Sequence, residues 1–170
     1  MKRLALIAIL ALAGCEPQTP SYRQGMDPMF VRTVSPSAVA GSWHQIAVFP
    51  NAVEAGCRKT TVAFSPRPDG SYGVIQRCQR GTGWTQVVGS ATVTSRGQYR
   101  LAMEGAPAQD LRVLGTGKDG RTLLLGTRDR MSGWLLHRDA QMSETQRREA
   151  RDIFGKNGYD RAAMQLISQR

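Results

Sequence analysis

Between Gly41 and Arg138 the chain cannot run far in any one regular structure, because turn-forming residues interrupt it at short intervals. Pro66-Arg67-Pro68-Asp69-Gly70, Arg80-Gly81-Thr82-Gly83, Ser95-Arg96-Gly97, Gly105-Ala106-Pro107 and Gly115–Gly120 separate short stretches rich in β-branched and aromatic residues. Proline and glycine there stop helices and let strands reverse. The intervening stretches are Ser42–Phe49, Arg58–Ser65, Ser71–Gln79, Trp84–Val93, Gln98–Glu104, Gln109–Leu114, Arg121–Thr127 and Ser132–Arg138. Side chains alternate clearly in the second (Thr60, Val62, Phe64), third (Tyr72, Val74, Gln76, Cys78) and fifth (Tyr99, Leu101, Met103), as half-buried strands require. Alternation is lost in Leu123-Leu124-Leu125, which reads as a strand covered on both faces. Eight short strands with regular turns predict an antiparallel barrel or sandwich.

One helix is expected, at about residues 143–157. Ser143 followed by Gln146 is a capping-box start, and Ala150, Ile153, Phe154 and Asn157 recur at helical spacing before Gly155 and Gly158 fray the end. That stripe is narrow, which suits a helix lying on the outside of a barrel. The tail Asp160–Arg170, with Met164, Leu166 and Ile167, reads either as a short strand or as a helical turn.

The start of the chain is of a different kind. Met1-Lys2-Arg3 precedes an apolar run from Leu4 to Gly14, ending Leu12-Ala13-Gly14-Cys15. Such a run is too short for a permanent membrane span but suits a secretory signal. A cysteine directly after Leu-Ala-Gly resembles the bacterial lipobox, which implies cleavage after residue 14 and lipidation of Cys15; an ordinary signal with an incidental cysteine is the alternative. Several acyl chains hold a protein on a membrane where one holds weakly. Glu16, where an Asp would favour inner-membrane retention, leans the expectation to the outer membrane. Pro17, Pro20, Pro28 and Pro36 lie among polar residues, so residues 15–37 are expected to form a flexible tether and 38–170 the folded domain.

Two of the 23 basic residues fall in the signal, so removing residues 1–14 leaves 21 basic against 13 acidic side chains. The arginines at 58, 67, 77, 80, 96, 100, 112, 121, 128 and 130 are scattered singly without aromatic interleaving. They read as a solvated basic surface drawn to acidic headgroups, and no nucleic-acid partner is expected. With Cys15 committed to lipid, Cys57 and Cys78 remain as an even pair in an oxidising compartment, which reads as a disulfide. They fall nearly opposite each other across the Pro66–Gly70 turn.

Gly41-Ser42-Trp43-His44-Gln45-Ile46-Ala47-Val48-Phe49 resembles the first motif of the lipocalins, and the bacterial outer-membrane lipocalins above all. Asp69-Gly70, Trp84 and Val88–Ala91 resemble the family's second hairpin and fourth strand. Asp129-Arg130 before Trp134-Leu135-Leu136-His137-Arg138 resembles its second and third motifs, and Asn157-Gly158-Tyr159-Asp160 resembles its helix ending. His44 and Ser132 depart from the family pattern, where aromatics are usual, and that weakens any transfer of ligand identity. The resemblance implies an eight-stranded antiparallel up-and-down β-barrel with one C-terminal α-helix packed outside. It also implies that Arg138 lies over Trp43, near Gly41, and shuts one end of the barrel.

Within such a barrel the residues expected to point inward are Gln45, Ala47, Phe49, Val62, Phe64, Val74, Gln76, Val87, Ala91, Tyr99, Leu101, Met103, Trp134 and Leu136. This set is mostly apolar with a few polar groups, the make-up of a small-molecule pocket, unless bulky side chains fill the interior. His44 and His137, the two histidines of the chain, are expected on the outer face. No catalytic motif, metal-ligand spacing or cofactor signature is present, so neither enzyme activity, cofactor nor metal is expected. The expected function is a membrane-anchored protein that binds a fatty acid or lysophospholipid for lipid storage or transport in the cell envelope, as a monomer or weak dimer. The competing expectation is a periplasmic inhibitor of lysozyme or protease type, or an interaction scaffold, which would need a protruding loop with anchors, whereas Val53–Gly56 and Gly105–Ala108 read as modest rims.

Overall fold

A computed structural model describes residues 21–24 and 28–170; the expected signal segment, residues 1–14, and the expected lipidation site Cys15 lie outside the described residues. A four-residue helical turn, α1 (Pro36–Val39), leads into β1 (Gly41–Phe49), β2 (Arg58–Pro66), β3 (Tyr72–Arg80), β4 (Gly83–Ser95), β5 (Gln98–Met103), β6 (Gln109–Thr116), β7 (Thr122–Thr127) and β8 (Gly133–His137). After these come the helix α2 (Glu144–Lys156), a 3-10 turn at Arg161–Ala163, the counterpart of one at Ala52–Glu54 between β1 and β2, and a two-residue strand, β9 (Gln165–Leu166). Each of β2 to β8 pairs antiparallel with its sequence neighbour, β8 returns to β1, and β1 pairs with β2, so the sheet closes into a barrel. Closure leaves no long unpaired strand edge.

The wall between β1 and β2 is made in two parts. The strands pair from Gly41↔Phe64 to His44↔Thr61, and beyond that point β1 turns to β9 instead, through Ala47↔Leu166 and Val48↔Gln165. The tail bridges the gap: Ile167 N donates to Ile46 O, Lys59 N donates to Ser168 O at 2.8 Å, and Gln169 Nε2 donates to Gln45 O at 2.7 Å. The tail is therefore both things its composition allowed, a helical turn and then a strand.

Two apolar cores result. Inside the barrel, Trp43, Val62, Phe64, Tyr72, Val74, Ala91, Tyr99, Leu111, Val113, Leu123, Leu125 and Leu136 pack together over Val39 of α1. Outside it, Ile46, Ala47, Phe49, Leu114, Leu124 and Leu135 meet Ala150 and Phe154 of α2, with Tyr159 and Met164 from the tail. Leu123 and Leu125 face in and Leu124 faces out, so β7 is covered on both sides as its unbroken run of leucines demands. The α2 start is capped as its sequence requires: Ser143 Oγ accepts from Gln146 N at 3.2 Å, and Gln146 Oε1 accepts from Ser143 N at 3.0 Å. Glycine is needed where β7 and β8 pair through Gly126↔Gly133, because a Cβ on Gly126 would strike the Tyr159 hydroxyl. That hydroxyl lies 2.8 Å from Ser132 O and 3.2 Å from Thr127 O, joining the tail to the β7–β8 loop.

The stretch expected to be a free tether does not hang loose where it is described. Tyr22 O accepts from Asp160 N at 2.8 Å, Gln24 N donates to Gly158 O at 2.7 Å, and the Tyr22 ring lies 5.5 Å from that of Phe49. Further on, Phe30 N donates to Asn157 Oδ1 at 2.7 Å and Arg32 N donates to Val113 O at 2.8 Å. Gly97, with φ of 72°, lets the Arg32 carbonyl lie where any side chain would collide. Backbone pairing of this kind is invisible to composition, which is why a proline-spotted polar stretch reads as linker.

Candidate functional site

The two ends of the barrel are built differently. At the closed end Trp43 is 1% exposed and its indole Nε1 donates to Val39 O at 2.9 Å, which plugs the opening with α1. The Arg138 guanidinium carbon stands 3.4 Å from the centre of the Trp43 ring. Its two terminal nitrogens donate to Ser42 O at 2.8 Å and Ala40 O at 2.7 Å. Burial, with the nearby Arg121 charge, pulls the Arg138 pKa below its ordinary value, yet an arginine so placed stays charged. A planar cation therefore covers the indole and ties three segments together. Gly41, at φ of 94°, leaves room for it, since a Cβ there would lie 3.0 Å from Arg138 Nη1.

Aromatic rings complete this floor. Tyr72 stacks edge-on against Phe64 and Tyr99 at ring separations of 6.4 and 5.9 Å, and its hydroxyl donates to Pro36 O at 3.0 Å. Burial and the adjacent Tyr72 push the Tyr99 pKa up to about 12. Ala91 and Tyr99, expected among the ligand contacts, belong to this packed floor and do not line open space.

Above the floor a cavity of about 690 Å³ opens between the strands, within the size range of small-molecule sites. Ten of the expected residues line it: Gln45, Val62, Phe64, Val74, Gln76, Val87, Leu101, Met103, Trp134 and Leu136. Ala47 and Phe49 do not, and this corrects the alternation assumed for β1. The register of β1 against β8 slips between Gln45 and Ala47. One extra residue at such a bulge reverses which side chains face inward. Ala47 and Phe49 accordingly lie in the outer core, where the Phe49 ring packs 4.6 Å from Tyr159 and 5.0 Å from Phe154.

The polar end of the cavity centres on a residue that sequence reasoning treated as rim. Glu54, in the β1–β2 loop, is 7% exposed. Its Oε2 accepts from Trp134 Nε1 at 2.8 Å and from Asn51 Nδ2, while its Oε1 accepts from Gln76 Nε2. Gln76 Nε2 also reaches Gln45 Oε1 at 3.3 Å, and the Gln45 amide nitrogen is buried without a hydrogen-bond partner. No basic nitrogen lies within salt-bridge distance of Glu54 among the described residues. A signal for this was present in Asn51-Ala52-Val53-Glu54: an Asn three residues before an acid can cap a short turn. Asn51 Oδ1 does accept from Glu54 N at 3.0 Å, and that turn swings the carboxylate inward.

At the mouth, Arg23 from the N-terminal strap joins Arg100, Glu104, Asp110, Arg128 and Asp129. Arg100 and Asp110 form an ion pair at 2.9 Å with both side chains about half exposed, which contributes little stability. Beside the mouth Cys57 and Cys78 form a disulfide with a Cα–Cα distance of 5.4 Å. His44 and His137 are cross-strand neighbours outside the cavity lining, and Asp139 N donates to His137 Nδ1 at 3.1 Å. Among the described residues no group of three His, Cys, Asp or Glu side chains could hold a metal ion.

Comparison with known proteins agrees with this architecture. Residues 37–169 match the family model described as a lipocalin-like domain. The chain is 27% identical to the outer membrane lipoprotein Blc of Escherichia coli strain K12, covering 94% of this chain and 93% of that protein. Among solved structures, lobster apocrustacyanin A1 superposes with a TM-score of 0.69 at 14% identity, covering 90% of this chain and 94% of that one. The cockroach allergen Per a 4 does so with a TM-score of 0.65 at 10% identity, covering 87% and 96%. With a barrel shut by Trp43 and Arg138, an outer helix and a match across most of its length, the chain belongs to the lipocalin-like family.

Proposed function

We propose that this protein is a membrane-anchored lipocalin that holds a small hydrophobic molecule, a fatty acid or lysophospholipid, for storage or transport in the cell envelope. The observation that carries the reading is the cavity itself, about 690 Å³ of space above a sealed floor, walled by Val62, Phe64, Val74, Val87, Leu101 and Leu136. Burying an acyl chain there gains about 0.8 kcal/mol per CH₂ removed from water. The polar end of the ligand would lie toward the mouth arginines, and the Glu54 carboxylate, which lines the same end, would oppose an anionic head that came close to it. The sequence of Cys15 and the similarity to an outer membrane lipoprotein support placement at the outer membrane, facing the periplasm. Binding rather than catalysis is favoured because the two histidines lie outside the cavity lining. An inhibitor acting through loops needs no such interior, and the space inside the barrel favours the container.

Native mass spectrometry of the mature chain carrying Cys15→Ser, purified without detergent and then exposed to palmitate or lysophosphatidylethanolamine, tests this. A one-to-one adduct is expected in the unaltered cavity and its loss in Leu101→Trp, which fills the space. Absence of any adduct while a periplasmic protein co-purifies would overturn the container reading.

A further inference from the structure

The open end carries more than an entrance. The β1–β2 loop and the β3–β4 turn stand side by side there, joined by the Cys57–Cys78 disulfide and by Arg80, whose Nη2 donates to Val53 O. Together they make a stiff lip. On it Trp84 is 58% exposed and Val53 50% exposed, an outlay of apolar surface with no intramolecular use. Arg58, Arg77 and Arg80 are exposed around them. Within residues 50–60 and 77–86 the single carboxylate is Glu54, and it is turned into the barrel. An indole ringed by arginines suits the boundary between lipid headgroups and acyl chains, where Trp is amphipathic enough to rest. Each arginine near an anionic surface adds to the attraction.

An independent observation concerns where the chain emerges. Tyr22 N donates to Arg130 O at 3.1 Å and the Tyr22 hydroxyl donates to Pro50 O. Pro50 begins the β1–β2 loop and Arg130 lies in the β7–β8 loop, both at the open end. Arg23 itself lines the mouth. From Cys15 to Ser21 is six residues, which span at most about 22 Å even when fully extended. An anchor on Cys15 would thus hold the open end, and not the floor, close to the bilayer.

We infer that the lip bearing Val53, Arg58, Arg77, Arg80 and Trp84 docks on an anionic lipid bilayer, so that the cavity opens onto the membrane surface. The inference rests on the anchoring part of the proposed function and adds an orientation. A ligand would then pass between bilayer and cup without its acyl chain crossing bulk water.

The test uses the full, acylated protein reconstituted in vesicles of phosphatidylcholine and phosphatidylglycerol with brominated acyl chains, which quench nearby tryptophans. Trp43 is sealed under Arg138 and Trp134 faces the cavity, so docking is read from Trp84. Quenching is expected, most of it lost in Trp84→Phe, and weaker when phosphatidylglycerol is left out. No quenching, or shielding of Trp84 by self-association without vesicles, would overturn the inference. Quenching that persists unchanged in Trp84→Phe would also overturn it, since that would report brominated lipid reaching Trp134. That last result leaves the container reading standing. An intact mass showing no acyl group on Cys15 removes the anchor and the inference together.

Discussion

The floor and the mouth of this barrel are made from the same eight strands, yet they obey different physical rules. At the floor every inward side chain has a neighbour: Trp43 is capped by Arg138, and Tyr72, Tyr99, Phe64, Ala91 and Val39 fill what remains. At the mouth side chains are spaced apart, a carboxylate is buried without a cation beside it among the described residues, and apolar groups meet water. The first arrangement maximises packing. The second gives up packing in return for space and for surfaces that can meet something else. Stability should therefore be concentrated at one end and recognition at the other.

The sharpest way to break that contrast is Trp43→Ala. It empties the centre of the floor and should cost about 3–5 kcal/mol, as large aromatic truncations in cores do, measured as a drop in urea midpoint. A loss of a few tenths would show that the floor is not where stability resides. Next in size is the staple at the mouth. Replacing both Cys57 and Cys78 with Ser reopens a loop spanned by 21 residues of separation and should cost about 3 kcal/mol in the chain-entropy model. Hydrogen exchange should then rise in residues 50–60 and stay low at Trp43. Arg138→Lys should cost about 1–2 kcal/mol, because an ammonium stacks less well on indole and cannot reach both Ser42 O and Ala40 O in one plane.

Glu54→Gln should disturb folding less than any of these and change binding more. Removing a buried negative charge from the cavity should raise affinity for dodecanoate relative to dodecanol, since like charges at close quarters are disfavoured. If titration against a displaced fluorescent probe gives the same ratio for both proteins, the ligand head lies away from Glu54. The smallest effect at neutral pH belongs to Tyr99. Burial raises its pKa in the folded state from the ordinary value of 10.0 to about 12, so the folded protein holds its proton where the unfolded chain gives it up. The stability this contributes is complete below pH 10 and is lost as pH rises toward 12. Tyr99→Phe should make the alkaline limb of an unfolding profile shallower, the remaining slope belonging to Tyr159, Tyr72 and Tyr22, whose pKa values burial also raises.

Much of the floor was legible in the chain. Gly41-Ser42-Trp43 and Arg138 lie in stretches that resemble lipocalin motifs, and that resemblance implied the meeting of indole and planar cation across nearly the whole domain. The capping box of α2 and the two-faced β7 could likewise be read residue by residue. The mouth was less legible, because its features depend on departures from regularity. Ala47 and Phe49 face outward owing to the bulge after Gln45. Glu54 is buried because a capped turn folds the loop back. The strap at Tyr22–Gln24 is held by backbone hydrogen bonds that any sequence could make.

The sequence by itself determined the strands, their turns, the helix with its cap and the cysteine pair. Each is a matter of periodicity or of side-chain chemistry carried by neighbours along the chain. The tertiary structure alone decided that β9 completes the wall between β1 and β2, and that the chain leaves the domain beside the open end. Those outcomes follow from where backbone groups far apart in sequence find one another, and hydrogen-bonding backbone is the one component that every residue but proline shares.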